Sequence, residues 1–317
     1  MKLQQYISGL KNGNRSILAQ AITLIESELK NDQDKAIQLI DKCIPLSGKS
    51  IRIGASGTPG AGKSTFIDSL GKLLVEKHKI AVLTIDPSST ISKGSILGDK
   101  TRMQFLANSK SAFIRPSPSN GELGGITKNT RNTIILCETA GFDVIIIETV
   151  GVGQSETLIN HITDISLYLT LVDNGDELQF IKKGTLEVSD IIVLNKSDQN
   201  LKKSKQVQHS LENSLTSAQE QKTQIVFTCS AIKGINIKKI WDYIINELKQ
   251  KQVKIHITRD QQDRFWINKI IEDELKAVVK NNNTIQEKIN QICETQTKNP
   301  QKIAIEIVKN LIKEDWQ

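Results

Sequence analysis

The stretch that decides the fold reads Gly57-Thr58-Pro59-Gly60-Ala61-Gly62-Lys63-Ser64-Thr65. It follows residues 51–55, an apolar run typical of a buried strand, and precedes residues 66–74, whose apolar spacing predicts an amphipathic helix. A strand, a glycine-rich turn and a helix in this order form the context in which the pattern G-x-x-x-x-G-K-[ST] binds phosphate. We therefore predict a phosphate-binding loop in an α/β protein.

The residue types in this stretch suit an anion. Its three glycines allow backbone conformations that side chains would forbid, so that the N–H groups approach the phosphates. The positive end of the following helix adds to this attraction. Lys63 is predicted to face the β- and γ-phosphates as a catalytic charge, and the Ser64 hydroxyl to bind Mg²⁺.

Seven apolar runs predict strands, and helical patterns between them predict repeated βαβ units. Several runs consist of Val, Ile and Leu throughout, which is typical of a parallel sheet covered on both faces. The predicted strands are Ile51–Ala55, Ile80–Ile85, Ala112–Arg115, Val144–Thr149, Ser166–Val172, Asp190–Leu194 and Gln224–Thr228.

Helical patterns without strands occupy both ends of the chain. We predict an N-terminal helical extension at residues 1–48, a nucleotide-binding domain at 49–250 and a C-terminal helical arm at 251–317. In the arm, Phe265–Lys280 and Thr284–Cys293 have helical apolar spacing, and Asn299-Pro300 predicts the start of a third helix. Their apolar stripes, at 265–280 and 301–312, either pack within the chain or form a homodimer, and periodicity leaves both open.

Composition excludes several classes of protein. The chain has 317 residues and a net charge of +7, and its lysines are scattered without interleaved aromatic residues, so no nucleic-acid partner is predicted. The four cysteines show no C-x-x-C spacing, which argues against a zinc site or a disulfide framework. No signal peptide or long apolar run is evident, which predicts a cytoplasmic protein with no membrane partner.

The sequence Asn195-Lys196-Ser197-Asp198 follows an apolar run and predicts recognition of guanine. The Asp198 carboxylate can accept two N–H donors from one edge of guanine, whereas adenine would leave it poorly paired. Lys196 can lie along the base, and Asn195 can tie this segment to the phosphate-binding loop. After the next predicted strand, Ser230 and Ala231 are placed where a backbone N–H could reach the guanine carbonyl oxygen.

Three carboxylates and one arginine are predicted to complete the phosphate end of the site. Asp86 and Glu148 end predicted strands, where a carboxylate can hold Mg²⁺ directly or through water, and Glu148 can also contact the attacking water. Asp99 can approach the metal, and Arg102 can approach the γ-phosphate from the same chain. Asp99 and Arg102 are as readily explained as ordinary loop charges. We expect Arg102 to lie on a flexible loop that a partner orders.

Further candidates lie in segments rich in glycine and charge. Gly151 can donate its N–H to the γ-phosphate, and Gln154 can position water, although a glutamine on such a turn is more often only solvated. The segment 173–184 is either an exposed turn or a switch that senses the nucleotide. Its switch candidates are Asp176, Glu177, Gln179, Lys182 and Lys183.

Several of these stretches together resemble the MeaB/ArgK family, the G-protein chaperones of adenosylcobalamin-dependent methylmalonyl-CoA mutase. The resemblance covers most of residues 15–200. It rests on GTPGAGKST, DPSS, GSILGDKTRM, IRPSPSNGELGG, AGFDVIIIETVGVGQSE, GDELQ, IKKG and NKSD. It implies a P-loop NTPase of the signal-recognition and MinD class, with an N-terminal helical extension and a C-terminal dimerisation arm.

The resemblance also implies a function. It implies GTP hydrolysis to GDP, with Mg²⁺ near Ser64, Asp86, Asp99 and Glu148, coupled to loading and protection of the mutase cobalamin. It makes residues 173–184 the segment that signals to the mutase. Two rival interpretations remain at this point: a kinase associated with lysine/arginine/ornithine transport, and a nucleotide-dependent metallochaperone, which the lack of a Cys/His cluster disfavours.

Overall fold

A computed structural model describes residues 1–86, 101–118, 126–149, 158–172, 189–217, 224–293 and 299–314. The chain divides into two compact units, residues 1–262 and 263–317. None of the helices in these described ranges is long and apolar enough to cross a membrane. The predicted three-part domain assignment stays a prediction.

Within the described residues, seven strands form one all-parallel sheet in the order β3-β2-β4-β1-β5-β6-β7. The strands are β1 Ile51–Gly57, β2 Ile80–Asp86, β3 Ala112–Pro118, β4 Val144–Glu148, β5 Ile165–Leu171, β6 Ile191–Asn195 and β7 Ile225–Thr228. All seven predicted strands are confirmed, and so is the parallel arrangement. The central strands are almost entirely buried, as their continuous apolar runs require.

The helices occupy both ends of the chain and the connections between strands. In the described ranges the α-helices are α1 Leu3–Lys11, α2 Arg15–Ile25, α3 Lys30–Cys43, α4 Lys63–Leu74, α5 Gln104–Asn108, α6 Lys128–Thr139, α7 Leu201–Ser217, α8 Ile237–Gln250, α9 Gln252–Asn281, α10 Asn283–Cys293 and α11 Pro300–Glu314. The three N-terminal helices pack on one another and on α6. α11 begins at the predicted proline, whereas α9 begins well before the predicted Phe265.

A buried ion pair lies at the amino end of the sheet, away from the phosphate-binding loop. Glu138 of α6 accepts hydrogen bonds from Arg52 Nε at 2.9 Å and Nη2 at 3.0 Å. It also accepts the Ser50 hydroxyl at 2.5 Å and the Gly48 N–H at 2.6 Å. Burial opposes ionisation of Glu138, but these donors outweigh it, so that its pKa is lowered.

The start of α9 is held at the same end of the sheet by polar contacts. Arg259 binds both carboxylate oxygens of Asp164, at 2.9 and 2.8 Å, and donates to the carbonyl oxygens of Gly48 and Ser50. The Gln262 amide donates to the Asn160 and Thr163 carbonyl oxygens, at 2.8 and 2.7 Å. Ile255 also packs against the core, but the sequence of this part of α9 shows no apolar stripe at helical spacing, which explains why it did not predict the helix.

Strand β7 forms one edge of the sheet, and side-chain amides cover two of its carbonyl groups. Gln208 of α7 donates to the Val226 carbonyl oxygen at 3.0 Å. Asn236, which precedes α8, donates to the Thr228 carbonyl oxygen at 2.9 Å. Because residues 226 and 228 alternate with those that face β6, these carbonyls point away from the sheet.

Candidate nucleotide-binding site

The loop between β1 and α4 has the shape that an anion cradle requires. Gly57, Gly60 and Gly62 have φ values of 141°, 78° and 85°, a region that side chains rarely occupy. A Cβ atom on Gly57 would clash with the backbone of Leu169 in β5. One on Gly62 would lie 2.7 Å from Asn195 Nδ2. The loop therefore needs glycine at Gly57 and Gly62 for space as well as for conformation.

Lys63 is the first residue of α4, and its ammonium group lies against the loop. Its Nζ donates to the Gly57 carbonyl oxygen at 2.8 Å and to the Thr58 carbonyl oxygen at 3.2 Å. The residue is 8% exposed. A buried ammonium group at the positive end of a helix suits a strongly charged anion such as a polyphosphate.

Two of the predicted metal ligands are in contact. The Ser64 hydroxyl donates to Glu148 Oε1 at 2.8 Å, although 84 residues separate them in the chain. Glu148 ends β4, and the neighbouring strand β2 ends at Asp86, so these residues share the carboxyl edge of the sheet. A hydroxyl and a carboxylate beside a phosphate-binding loop form a donor set that fits Mg²⁺.

A cavity of about 500 Å³ opens beside the loop. Its walls include three predicted site residues that come from separate segments: Lys63, Arg102 and Glu148. They also include Thr84 and Thr149, which sequence reasoning missed. Both are at the carboxyl ends of parallel strands, where ligands bind in α/β folds. Their position at the end of a predicted strand could therefore have identified them as site residues. The volume is in the range of small-molecule sites.

The backbone of Arg102 is regular, whereas we expected an irregular, flexible loop; ordering by a partner stays a prediction. Residues 101 and 102 have helical backbone, and the next residue, Met103, is completely buried in the core. Leu106 of α5 is buried as well. Apolar burial of Met103 and Leu106 therefore anchors the chain immediately after Arg102 in the core.

Asn195 joins the phosphate-binding loop to the predicted guanine-recognition segments. Its Nδ2 donates to the Ala61 carbonyl oxygen at 2.8 Å, as expected from the sequence. Its Oδ1 accepts the Ala231 N–H at 3.0 Å and the Cys229 thiol at 3.4 Å. Asn195 is 2% exposed. Burial raises the pKa of Cys229 to about 12, so this thiol stays protonated and remains a donor.

The carboxylate predicted to bind guanine lies beside these segments. Asp198 contacts Lys233 Nζ at 3.1 Å, and its side chain is 20% exposed. A hydrogen bond from the Ser230 side chain and a weaker contribution from Lys233 lower the pKa of Asp198. They favour its ionised form, which only accepts hydrogen bonds. Lys196 has a φ of 56°, which turns the chain sharply after β6.

The backbone N–H groups expected to reach guanine have partners within the protein. Ser230 N–H donates to the Ile235 carbonyl oxygen at 3.2 Å, and Ala231 N–H donates to Asn195. Guanine would have to share the Ala231 N–H. The remaining predicted residues lie outside the described parts of the chain: Asp99, Gly151, Gln154, Asp176, Glu177, Gln179, Lys182 and Lys183.

Comparison with known proteins agrees with this geometry. The family described as "Methylmalonyl Co-A mutase-associated GTPase MeaB" matches residues 18–284. The GTPase ArgK of Escherichia coli (strain K12) is 44% identical over 280 residues, covering 86% of this chain and 85% of that protein. The mitochondrial methylmalonic aciduria type A homolog of Mus musculus is 38% identical over 301 residues, covering 89% and 72%.

A solved structure extends the likeness to three dimensions. The crystal structure of an LAO/AO transport system kinase superposes with a TM-score of 0.76 and 34% identity, covering 98% of this chain and 97% of that one. The fold is that of a P-loop NTPase, and the Escherichia coli relative is named a GTPase, as the matching family is. The chain therefore belongs to the MeaB family and is a GTPase that binds guanine nucleotides.

Proposed function

We propose that this GTPase is a chaperone of a cobalamin-dependent acyl-CoA mutase, with methylmalonyl-CoA mutase as the first candidate. The printed names of the family and of the mouse relative support this partner. The observation that supports the proposal is a phosphate-binding loop that shares a cavity with Arg102 and is tied through Asn195 to the predicted guanine-recognition segments, in a chain that matches this family over most of its length. GTP hydrolysis would gate cobalamin loading and protect the loaded mutase.

Within the site we assign roles by position and chemistry. Lys63 would hold the β- and γ-phosphates, and Arg102, on the cavity wall, would stabilise charge on the γ-phosphoryl group. Ser64 and Glu148 would hold Mg²⁺, with Asp86 and Asp99 completing its shell. The ion would neutralise phosphate charge. Gly151 and Gln154 would act on the γ-phosphate and the attacking water.

Replacing Asp198 with asparagine should change base selectivity. Asparagine presents an N–H₂ group where guanine also presents donors, so we expect GTP affinity to fall by about 1–3 kcal/mol, the cost of an unsatisfied polar group. Xanthosine nucleotides, whose edge is changed in the complementary way, should gain affinity. Calorimetry with GTP, ATP and XTP measures both effects. Wild-type protein that binds ATP as tightly as GTP would refute the base assignment.

The partner is tested by measuring GTP turnover with and without a purified cobalamin-dependent mutase from the same organism. We expect acceleration by the mutase, and we expect Lys182→Ala and Lys183→Ala to lose most of it while intrinsic turnover stays unchanged. Coupling of this kind requires the mutase to bind the two nucleotide states with different affinity. Lys205→Ala, on α7, is the control. A mutase that leaves wild-type turnover unchanged would exclude the proposed partner.

A homodimer formed by the C-terminal arm is the second part of the proposal. On α9, Ile267, Ile271, Leu275 and Val278 are 50–60% exposed and recur at helical spacing, which leaves an apolar stripe open. Light scattering should give about twice the chain mass of 35.3 kDa. Ile271→Glu combined with Leu275→Glu should yield a monomer, whereas Glu272→Lys on the same helix should not. A monodisperse wild-type monomer would contradict the proposal.

The name of the solved relative keeps one other function in view. A transport-associated kinase would transfer the γ-phosphoryl group to a protein, whereas a GTPase transfers it to water. γ-labelled GTP incubated with cell extract and this protein distinguishes the two. We expect the label in inorganic phosphate. Label that appears on a protein only when Lys63 is intact would favour the kinase.

A further inference from the structure

A short segment beside the phosphates is held on α4 by one carboxylate. Asp68 Oδ1 accepts the backbone N–H of Leu106 at 3.0 Å. Leu106 is in the first turn of α5, where backbone donors have no acceptor within the helix. The residue before α5, Met103, makes no side-chain cap, so Asp68 supplies from another helix an acceptor that α5 lacks.

Close packing strengthens the same attachment. Gly71 is one helical turn beyond Asp68, and a Cβ atom there would lie 2.6 Å from Leu106 Cγ and 2.7 Å from its Cδ1. Lys72 Nζ lies 5.6 Å from the centre of the Phe105 ring, a cation–π contact. The helix that starts at the phosphate-binding loop therefore holds the segment 101–108 through a hydrogen bond, apolar packing and a ring contact.

The position of this segment matters because Arg102 belongs to it. Arg102 lies on the wall of the cavity beside Lys63, immediately before the buried Met103. A charged group stabilises a transition state best when it is already in place. A misplacement of about 1 Å can cost roughly 100-fold in rate.

We propose that Asp68 is a positioning residue for GTP hydrolysis, which fixes the segment that presents Arg102 to the γ-phosphate. The inference rests on the proposed role of Arg102. Asp68 acts through backbone geometry and contacts neither nucleotide nor metal in this scheme. Gly71 contributes to the same attachment by leaving room for Leu106.

The test compares single-turnover hydrolysis at saturating GTP with GDP affinity. For Asp68→Ala we expect the rate constant to fall roughly 10- to 100-fold, with little change in GDP affinity. Asp68→Asn retains an acceptor oxygen and should rescue most of the rate. Gly71→Ala should also lower the rate, because its added methyl group would displace Leu106 from α4. The overpacking against Leu106 is partly offset because alanine is favoured over glycine in a helix, so we expect this variant to fold with reduced stability even if Asp68→Ala does not fold.

The matched control is Asp143→Ala. Asp143 likewise accepts a backbone N–H, from Lys79 at 2.6 Å, but at the amino end of the sheet. Asp143→Ala should lower the stability of the fold without lowering the rate of GTP hydrolysis. In nucleotide-free protein, hydrogen exchange of the peptide covering residues 101–108 should rise in Asp68→Ala and stay unchanged in Asp143→Ala.

A double-mutant comparison separates positioning from general damage. In an Arg102→Ala background, Asp68→Ala should cause no further loss, because the group that it positions is already absent. An equal loss in both backgrounds, or unchanged exchange of residues 101–108, would overturn the inference. If Lys63→Ala abolishes hydrolysis while Arg102→Ala does not lower it, the GTPase site stands and the positioning role of Asp68 fails.

Discussion

Lys63→Ala should abolish measurable GTP hydrolysis and remove most nucleotide affinity. The Lys63 ammonium group is buried at the start of α4, within hydrogen-bond distance of two loop carbonyl oxygens. Truncating one partner of a buried charge pair costs about 2–5 kcal/mol, which corresponds to roughly 30- to 5,000-fold in affinity. Because negative charge on the phosphates also shifts during hydrolysis, the loss in rate should exceed the loss in affinity.

Calorimetry with GDP and single-turnover hydrolysis of GTP measure these two losses separately. Lys238→Ala is the control, since Lys238 lies on α8 with its side chain 75% exposed and pairs only weakly with Asp242 one turn away. That variant should behave as wild type. Turnover in Lys63→Ala that is close to wild type would remove the phosphate-binding role from this loop.

Glu138→Ala should cause the largest loss of stability of any single substitution discussed. It leaves the Arg52 guanidinium, with a side chain 14% exposed, without its carboxylate partner, and it leaves Ser50 and Gly48 without an acceptor. Removing one partner of a buried ion pair typically costs about 3–5 kcal/mol. Urea unfolding should show this as a lower midpoint with an unchanged slope.

The same carboxylate predicts a pH dependence. The folded-state pKa of Glu138 lies below its usual value of 4.5, so its contribution is complete above that pH and is lost as the pH falls through the folded value. Glu138→Gln removes the titration, and its acid unfolding curve should be flatter than that of wild type below about pH 5. The control is Asp242→Asn, at an exposed ion pair, and its acid unfolding curve should match that of wild type. Equal acid sensitivity of Glu138→Gln and wild type would contradict this account.

The sequence predicted the parts of the fold that depend on local pattern. Continuous apolar runs identified all seven strands, and the loop pattern located the phosphate cradle. The tie between Asn195 and the loop was also predictable, because Asn195 ends one parallel core strand and the loop follows another, which brings both to the carboxyl edge of the sheet. These features follow from periodicity and from the order of elements along the chain.

The features that the sequence did not predict depend on distant polar contacts. Arg259 and Gln262 hold the start of α9 through acceptors about a hundred or more positions away, so no local periodicity identifies that stretch as helix. The sequence placed Arg102 on a flexible loop because the residues that hold the nearby Leu106, Asp68 and Gly71, are on another helix. Only the folded chain brings such groups together.

The two occupied carbonyl groups of strand β7 affect whether another copy of this chain can add a strand to the sheet. An exposed strand edge offers a template on which a second chain can add a strand and continue into a fibre. Gln208 and Asn236 already occupy the outward acceptors at Val226 and Thr228, so an incoming strand would have to displace two intramolecular bonds. These two bonds therefore oppose the addition of a second chain's strand to β7. They lower the risk that copies of the protein aggregate irreversibly through this edge.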